Sequence, residues 1–237
     1  SAIMQKYNIK VVPHVVVSGM TKEEIEYMLL DLQFLGIQDI LVLRGDKAKD
    51  DAKFQPTKDG YSHATELIEQ VNLFNEGKFI DGTPIKTPGT RFSYGVAAYP
   101  EKHEEAPNPE FDLQILKQKQ DLGADYAVTQ MFYDNNKYVQ FVERARQAGI
   151  TMPVILGIKP MAKLSQFNVL PKTFHLDLPE ALSKAVEQCK TDAEVKQVGI
   201  EWGIQQCKEL IQDKVPSIHF YTVSAVDSIR QISREIY

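Results

Sequence analysis

A chain of 237 residues, 43% hydrophobic and 25% charged, has the composition of an ordinary globular protein and predicts a single domain over residues 1–237. Its 27 basic and 32 acidic side chains give a net charge of −5, and the absence of any strongly basic run argues against nucleic acid as a main partner. No apolar run reaches the roughly 18 residues of a membrane span, and the start lacks the layout of a signal peptide, so the sequence predicts a cytoplasmic protein with no membrane partner.

The two cysteines, Cys189 and Cys207, are too few and too far apart for a zinc knuckle or a disulfide framework and read as thiols in a reducing compartment. The first ten residues suggest the last turns of a helix. Residues 11–17 form the first strand, and Thr21 with Glu24 makes a capping box for a helix whose inward face carries Ile25, Met28, Leu29, Leu32 and Leu35. Gly36 ends that helix before a strand over residues 39–43. This strand stops abruptly at Arg44-Gly45-Asp46.

A polar loop over residues 47–59 precedes a helix over 64–74, and residues 75–91 read as an excursion away from the core. The third strand, 92–98, stops at Tyr99-Pro100-Glu101-Lys102-His103. A helix over 110–122 follows, then a strand over 125–132 ending Thr129-Gln130-Met131-Phe132, and a helix that closes at Ala148-Gly149. The fifth strand runs from Val154 into Gly157-Ile158-Lys159-Pro160. Beyond it lie a short helix from Ala162, others over 179–189 and 193–211, a sixth strand over 217–221, and a last amphipathic helix from Ala225.

Short apolar runs of Val, Ile and Leu bounded by turn residues suit strands buried on both faces of a parallel sheet. Strand alternating with helix predicts a parallel α/β fold, and polar residues at the carboxyl ends of the strands are where such folds place their active sites. Six strands are legible, whereas a closed (β/α) barrel has eight.

His14, Leu43-Arg44-Gly45-Asp46, the 97–103 segment, Thr129-Gln130-Met131-Phe132, Gly157-Ile158-Lys159-Pro160 and His219-Phe220-Tyr221-Thr222 occur in order over essentially the whole chain. Together they resemble methylenetetrahydrofolate reductase of the bacterial type. The resemblance implies a TIM-type (β/α)8 barrel of which this chain supplies about six strands. The first two, with a glutamate acting as general acid on the folate, are expected upstream of Ser1. It also implies an oxidoreductase that uses FAD and NADH or NADPH to convert 5,10-methylenetetrahydrofolate to 5-methyltetrahydrofolate by a ping-pong relay in one-carbon metabolism and methionine biosynthesis, working as a homo-oligomer, dimer or tetramer. The alternatives are a flavin- or folate-binding fragment without catalysis and another flavin or folate barrel enzyme.

By the same resemblance, Asp46 faces both flavin and pterin and is the catalytic carboxylate, while Gln130 and Gln166 bind the substrate. His14, Arg44, Gly45, Asp46, Tyr61, Tyr99, His103, Asp112 and Lys119 are the expected cofactor contacts. The chemistry of the side chains leaves blander roles open. A carboxylate near a flavin tunes its potential, but also caps loops and helices. A guanidinium suits a diphosphate, but also an ion pair. A strand-end glutamine often bonds only to backbone, and either tyrosine could be plain core. Asp112 and Lys119 share a helix face two turns apart, where a solvated charged face is the usual outcome. Two positions depart from the family. Leu170 replaces an expected stacking phenylalanine, and Ser224-Ala225 stands where an arginine often follows the Phe-Tyr-Thr strand.

Overall fold

A computed structural model describes residues 2–47, 51, 53–223 and 225–237. In chain order the elements are α1 (Ala2–Tyr7), β1 (His14–Val16), α2 (Lys22–Phe34), β2 (Asp39–Leu43), α3 (Ala64–Asn75), β3 (Ser93–Ala98), α4 (Pro109–Asp121), β4 (Tyr126–Met131), α5 (Asn135–Gln147), β5 (Val154–Ile158), α6 (Leu164–Phe174), α7 (Glu180–Glu187), α8 (Asp192–Gln212), β6 (Ile218–Phe220) and α9 (Val226–Ile236). This is the parallel α/β architecture of the TIM-type class, with the six expected strands. Among the described residues no helix is long and apolar enough to cross a membrane. The chain divides into two compact units, one of residues up to 97 with 118–126, the other of 98–117 with 127–237.

In the first unit β1, β2 and β3 pair in parallel, with Val16 opposite Leu43 and Val42 opposite Val96. β1 is shorter than the 11–17 expected. Pro13 has no N–H to donate, although its carbonyl still accepts from the Leu41 amide at 2.9 Å. Val15, Val17, Ile25, Leu29, Ile40, Val42, Leu67, Ile68 and Val71 are fully buried, each contributing about 1.5–3 kcal/mol by leaving water. Helix α2 starts with the expected capping box. The Thr21 hydroxyl accepts from the Glu24 amide at 3.2 Å, and the Glu24 carboxylate accepts from the Thr21 amide at 2.8 Å. The excursion over 75–91 is closed at its neck by Asn75, whose side chain donates to the Phe92 carbonyl at 3.0 Å and accepts from the Phe92 amide at 2.8 Å. The ends of the excursion are therefore tied to the start of β3.

In the second unit β4, β5 and β6 pair in parallel, and the register between β4 and β5 shifts between Val128 and Met131. The Tyr221 hydroxyl donates to the Thr129 carbonyl at 2.8 Å, and the Gly157 amide donates to the Thr129 hydroxyl at 2.9 Å. These bonds satisfy polar groups at the irregular stretch of β4 that the ladder leaves out. A core of Met131, Tyr133, Met161, Leu170, Leu176, Leu182, Val186 and Val195 supports them. Helix α8 crosses close over the Met161 backbone at Gly199, a position with no room for a Cβ. The segment after β5, expected to hold only a short helix, forms the 11-residue α6.

Gly157 has the same constraint as Gly199 with a different cause. A Cβ there would meet the Thr129 carbonyl oxygen and the Tyr221 ring at 2.5 Å each. Gly157→Ala should therefore destabilise the protein by about 1–3 kcal/mol, the usual cost of overpacking. A denaturant midpoint unchanged from wild type would contradict the packing described.

Candidate functional site

Apolar side chains dominate the middle of β2, β3 and β5, so most charged candidates lie beyond the strands, whereas His14 and Gln130 lie within β1 and β4. After β2 the chain turns through Gly45 at φ 87°, and Gly45 packs so closely on the Ser18 side chain that no Cβ would fit. The turn is held further by the Ser18 amide, which donates to the Arg44 carbonyl at 2.9 Å. The Arg44 guanidinium lies over the Phe54 ring at 4.7 Å, an arrangement that orients its plane. Asp46 is exposed, and among the described residues no hydrogen bond or ion pair engages its carboxylate.

Other candidates in this unit serve varied ends. His14 opens β1 at its amino end, opposite Leu41, rather than at a carboxyl end. Partial desolvation lowers its pKa even though the residue is exposed. Tyr61 is buried beneath the Lys22 ammonium at 4.9 Å, and burial, then Glu66, raises its pKa to about 12. That environment is the core reading of Tyr61. Lys119 is buried, and its ammonium donates to the Ala97 carbonyl at 3.2 Å, just before the end of β3.

In the second unit the segment after β3 is built around His103. Its ring meets Tyr99 edge-on at 4.7 Å and 74°. The His103 amide donates to the Asp112 carboxylate at 2.8 Å, so Asp112 pins this segment to the first turns of α4. Nδ1 of His103 accepts from the Glu105 amide at 3.1 Å, which places the proton of the neutral ring on Nε2.

The two glutamines have spent their oxygens locally. The Gln130 side-chain carbonyl accepts from the Met131 amide at 3.0 Å. That of Gln166 accepts from the Ala162 and Lys163 amides at 2.7 and 3.2 Å, capping α6. Each retains its amide NH2 as a donor, so the pair offers donors more than the mixed edge expected of a free glutamine. Leu170 is buried in the core and is not a stacking surface. Ala225 is buried at the start of α9, and the Ser224 part of that departure lies outside the described residues.

Sequence reading passed over two charged residues. Lys159, directly after β5, is 8% exposed, and desolvation lowers its pKa. Glu101, two residues after Tyr99, is half-buried, and desolvation raises its pKa to about 7. The available signal was their place: each follows an apolar strand run by one to three residues. Among the described residues no group of three or more histidine, cysteine, aspartate or glutamate side chains could hold a metal ion.

The sequence model of the methylenetetrahydrofolate reductase family matches residues 1–236. A Saccharomyces cerevisiae methylenetetrahydrofolate reductase 2 is 32% identical over 215 residues, covering 89% of this chain and 34% of its own length. A Salmonella typhimurium 5,10-methylenetetrahydrofolate reductase is 30% identical over 226 residues, covering 95% of this chain and 69% of its own. The chain thus spans about a third of the length of the yeast relative. A solved structure of an uncharacterised Clostridium thermocellum protein, described as binding two copies of 5-methyl-5,6,7,8-tetrahydrofolic acid, superposes with a TM-score of 0.54 at 14% identity, covering 99% of this chain and 76% of its own. At that identity the likeness shows the fold.

The state of Lys159 is open to measurement. A lysine whose folded pKa lies below its ordinary value binds fewer protons folded than unfolded between the two values, so stability rises as pH climbs through that window. Lys159→Met keeps the apolar stem and removes the charge. Its melting temperature should exceed wild type at neutral pH, and the gain in stability toward alkaline pH should shrink. A melting temperature below wild type would show instead that the ammonium is stabilising.

Proposed function

Since the chain belongs to the methylenetetrahydrofolate reductase family, we propose that it takes part in the reduction of 5,10-methylenetetrahydrofolate to 5-methyltetrahydrofolate by NADH or NADPH, with FAD as the relay and the two substrates using it in turn. The observation that carries the reading is the Arg44-Gly45-Asp46 turn, where a guanidinium oriented on Phe54 stands two residues from an exposed carboxylate that no ion pair or hydrogen bond engages among the described residues.

The residues present fit a flavin nucleotide. Arg44 has the planar, bidentate donor set that a diphosphate or a flavin carbonyl requires. His103, whose Nδ1 accepts from the Glu105 amide, sets its ring edge-on against Tyr99 and offers an aromatic surface to a flavin. Asp112 and Lys119 contribute by holding backbone, Asp112 at the His103 amide and Lys119 at the Ala97 carbonyl. Bound FAD would supply a two-electron carrier between nicotinamide and folate. Asp46 places negative charge where the folate approaches, which favours the cationic iminium form of methylenetetrahydrofolate and disfavours added negative charge on the flavin ring. The amide NH2 groups of Gln130 and Gln166 suit acceptor atoms of a pterin.

Asp46→Asn keeps the shape of the side chain and removes its charge. Folate reduction should slow by at least about tenfold, one to two kcal/mol of transition-state stabilisation, while flavin reduction by the nicotinamide cofactor slows far less. Stopped-flow measurement of the two half-reactions separates these effects. Equal slowing of both would remove Asp46 from the substrate side.

A further inference from the structure

Glu101 lies within the segment that carries Tyr99 and His103, yet its hydrogen bond leads elsewhere. Oε2 accepts the backbone N–H of Asp177 at 2.8 Å, 76 residues along the chain and two residues past His175, the C-cap of α6. The other oxygen, Oε1, is buried without a hydrogen-bond partner. Around the pair is a cavity of about 540 Å³ whose lining includes Lys137, Glu143 and Arg144 from α5 and His175 and Asp177 from the end of α6. The Lys137 ammonium meets the Asp177 carboxylate at 3.0 Å. His175 Nε2 stands 3.8 Å from Glu104, and Lys102 donates to the Ala106 carbonyl at 2.8 Å. Of these charged groups, Asp177 and Lys137 act on the Glu101 carboxyl.

A single backbone N–H could be held by any neutral acceptor. A carboxylate with one buried, unbonded oxygen is the costly choice when ionised. The two ends of the bond also carry different parts of the proposed site: the 99–103 segment on one side and, on the other, α6, whose first turn is capped by Gln166. We propose that Glu101 is a positioning residue, which through the Asp177 amide holds the Tyr99–His103 segment in place against the end of α6. The consequence for catalysis rests on the reading that this segment meets the flavin.

The charge state of Glu101 modulates this hold. Desolvation first raises its pKa to about 7, opposed by the hydrogen bond from the Asp177 amide and by Lys137 and aided by the Asp177 carboxylate. A carboxyl whose folded pKa is raised binds more protons folded than unfolded between its ordinary value and the raised one. Stability falls as pH rises across that window and is flat beyond about 7. The Asp177 amide itself favours the charged acceptor, but burial outweighs it, so opening the segment, which returns the carboxyl to water, becomes easier as Glu101 ionises.

Glu101→Gln keeps an acceptor oxygen and remains neutral at every pH, whereas Glu101→Ala removes the acceptor. Amide hydrogen exchange, corrected for intrinsic rates, and FAD affinity should be measured on wild type and both variants across neutral pH. In wild type, protection of the Asp177 amide should fall as pH rises through neutrality. In Glu101→Gln it should stay flat, and in Glu101→Ala it should be lower by about fivefold at every pH, the scale of one lost hydrogen bond. FAD affinity should follow the same order. A Glu101→Gln protein that keeps the wild-type pH dependence overturns the proposal, as does a folded Glu101→Ala protein with unchanged Asp177 protection. Should Glu101→Ala fail to fold, the comparison of wild type with Glu101→Gln decides. A wild type that takes up no FAD while Asp177 protection follows the predicted order overturns the flavin reading and supports the hold by Glu101.

Discussion

A strand covered on both faces can carry charge only where it leaves the sheet, and the chemistry of this protein follows from that confinement. Val15, Val17, Ile40 and Val42 are fully buried, and the first strongly polar residues after β2 are Arg44 and Asp46. The same rule puts Tyr99, Glu101 and His103 after β3 and Lys159 after β5. Because the strand ends are only partly desolvated, charges there are costly enough to be tuned by their surroundings and still reachable by a ligand. Glu101 and Lys159 have pKa values moved by burial in opposite directions, each toward its neutral form.

Placing several charged groups at strand ends demands close backbone approach just beneath them. Gly45 packs on Ser18, and Gly157 leaves room for the Tyr221 ring on its way to the Thr129 carbonyl. In both places the missing side chain is what allows neighbouring segments to come close. The polar side chains nearby are then fixed by backbone rather than by each other. Asp112 takes the His103 amide, Lys119 the Ala97 carbonyl, and Gln166 the first amides of α6. This costs each residue part of its hydrogen-bonding capacity and leaves the remainder in a defined direction.

The sequence was most legible where a feature is local. The capping box of Thr21 and Glu24, the alternation of strand and helix and the abrupt polar ends of the strands all depend on neighbours within a few residues, and all are present. Less legible were features set by pairing across the chain. The truncation of β1 at Pro13 and the burial of Leu170 in a core assembled from β4, α6, α7 and α8 depend on partners that no window of sequence displays. The bond from Glu101 to the Asp177 amide spans 76 residues. Candidate residues carried by family resemblance divide on the same line. Their identity was readable, but whether a side chain such as Tyr61 or Gln130 stands open or already bonded was not, because its immediate partners come from the folded chain.

The central question for this protein is whether it binds a flavin that passes electrons from a nicotinamide cofactor to a folate. Anaerobic absorbance spectroscopy of the purified protein, reconstituted with FAD and titrated with NADH or NADPH and then with methylenetetrahydrofolate, addresses this directly. The account predicts a bound-flavin spectrum, loss of the oxidised-flavin absorbance on adding the nicotinamide cofactor, and its return on adding the folate. A folded protein that stays colourless with FAD, or a reduced flavin that methylenetetrahydrofolate fails to reoxidise, would contradict it.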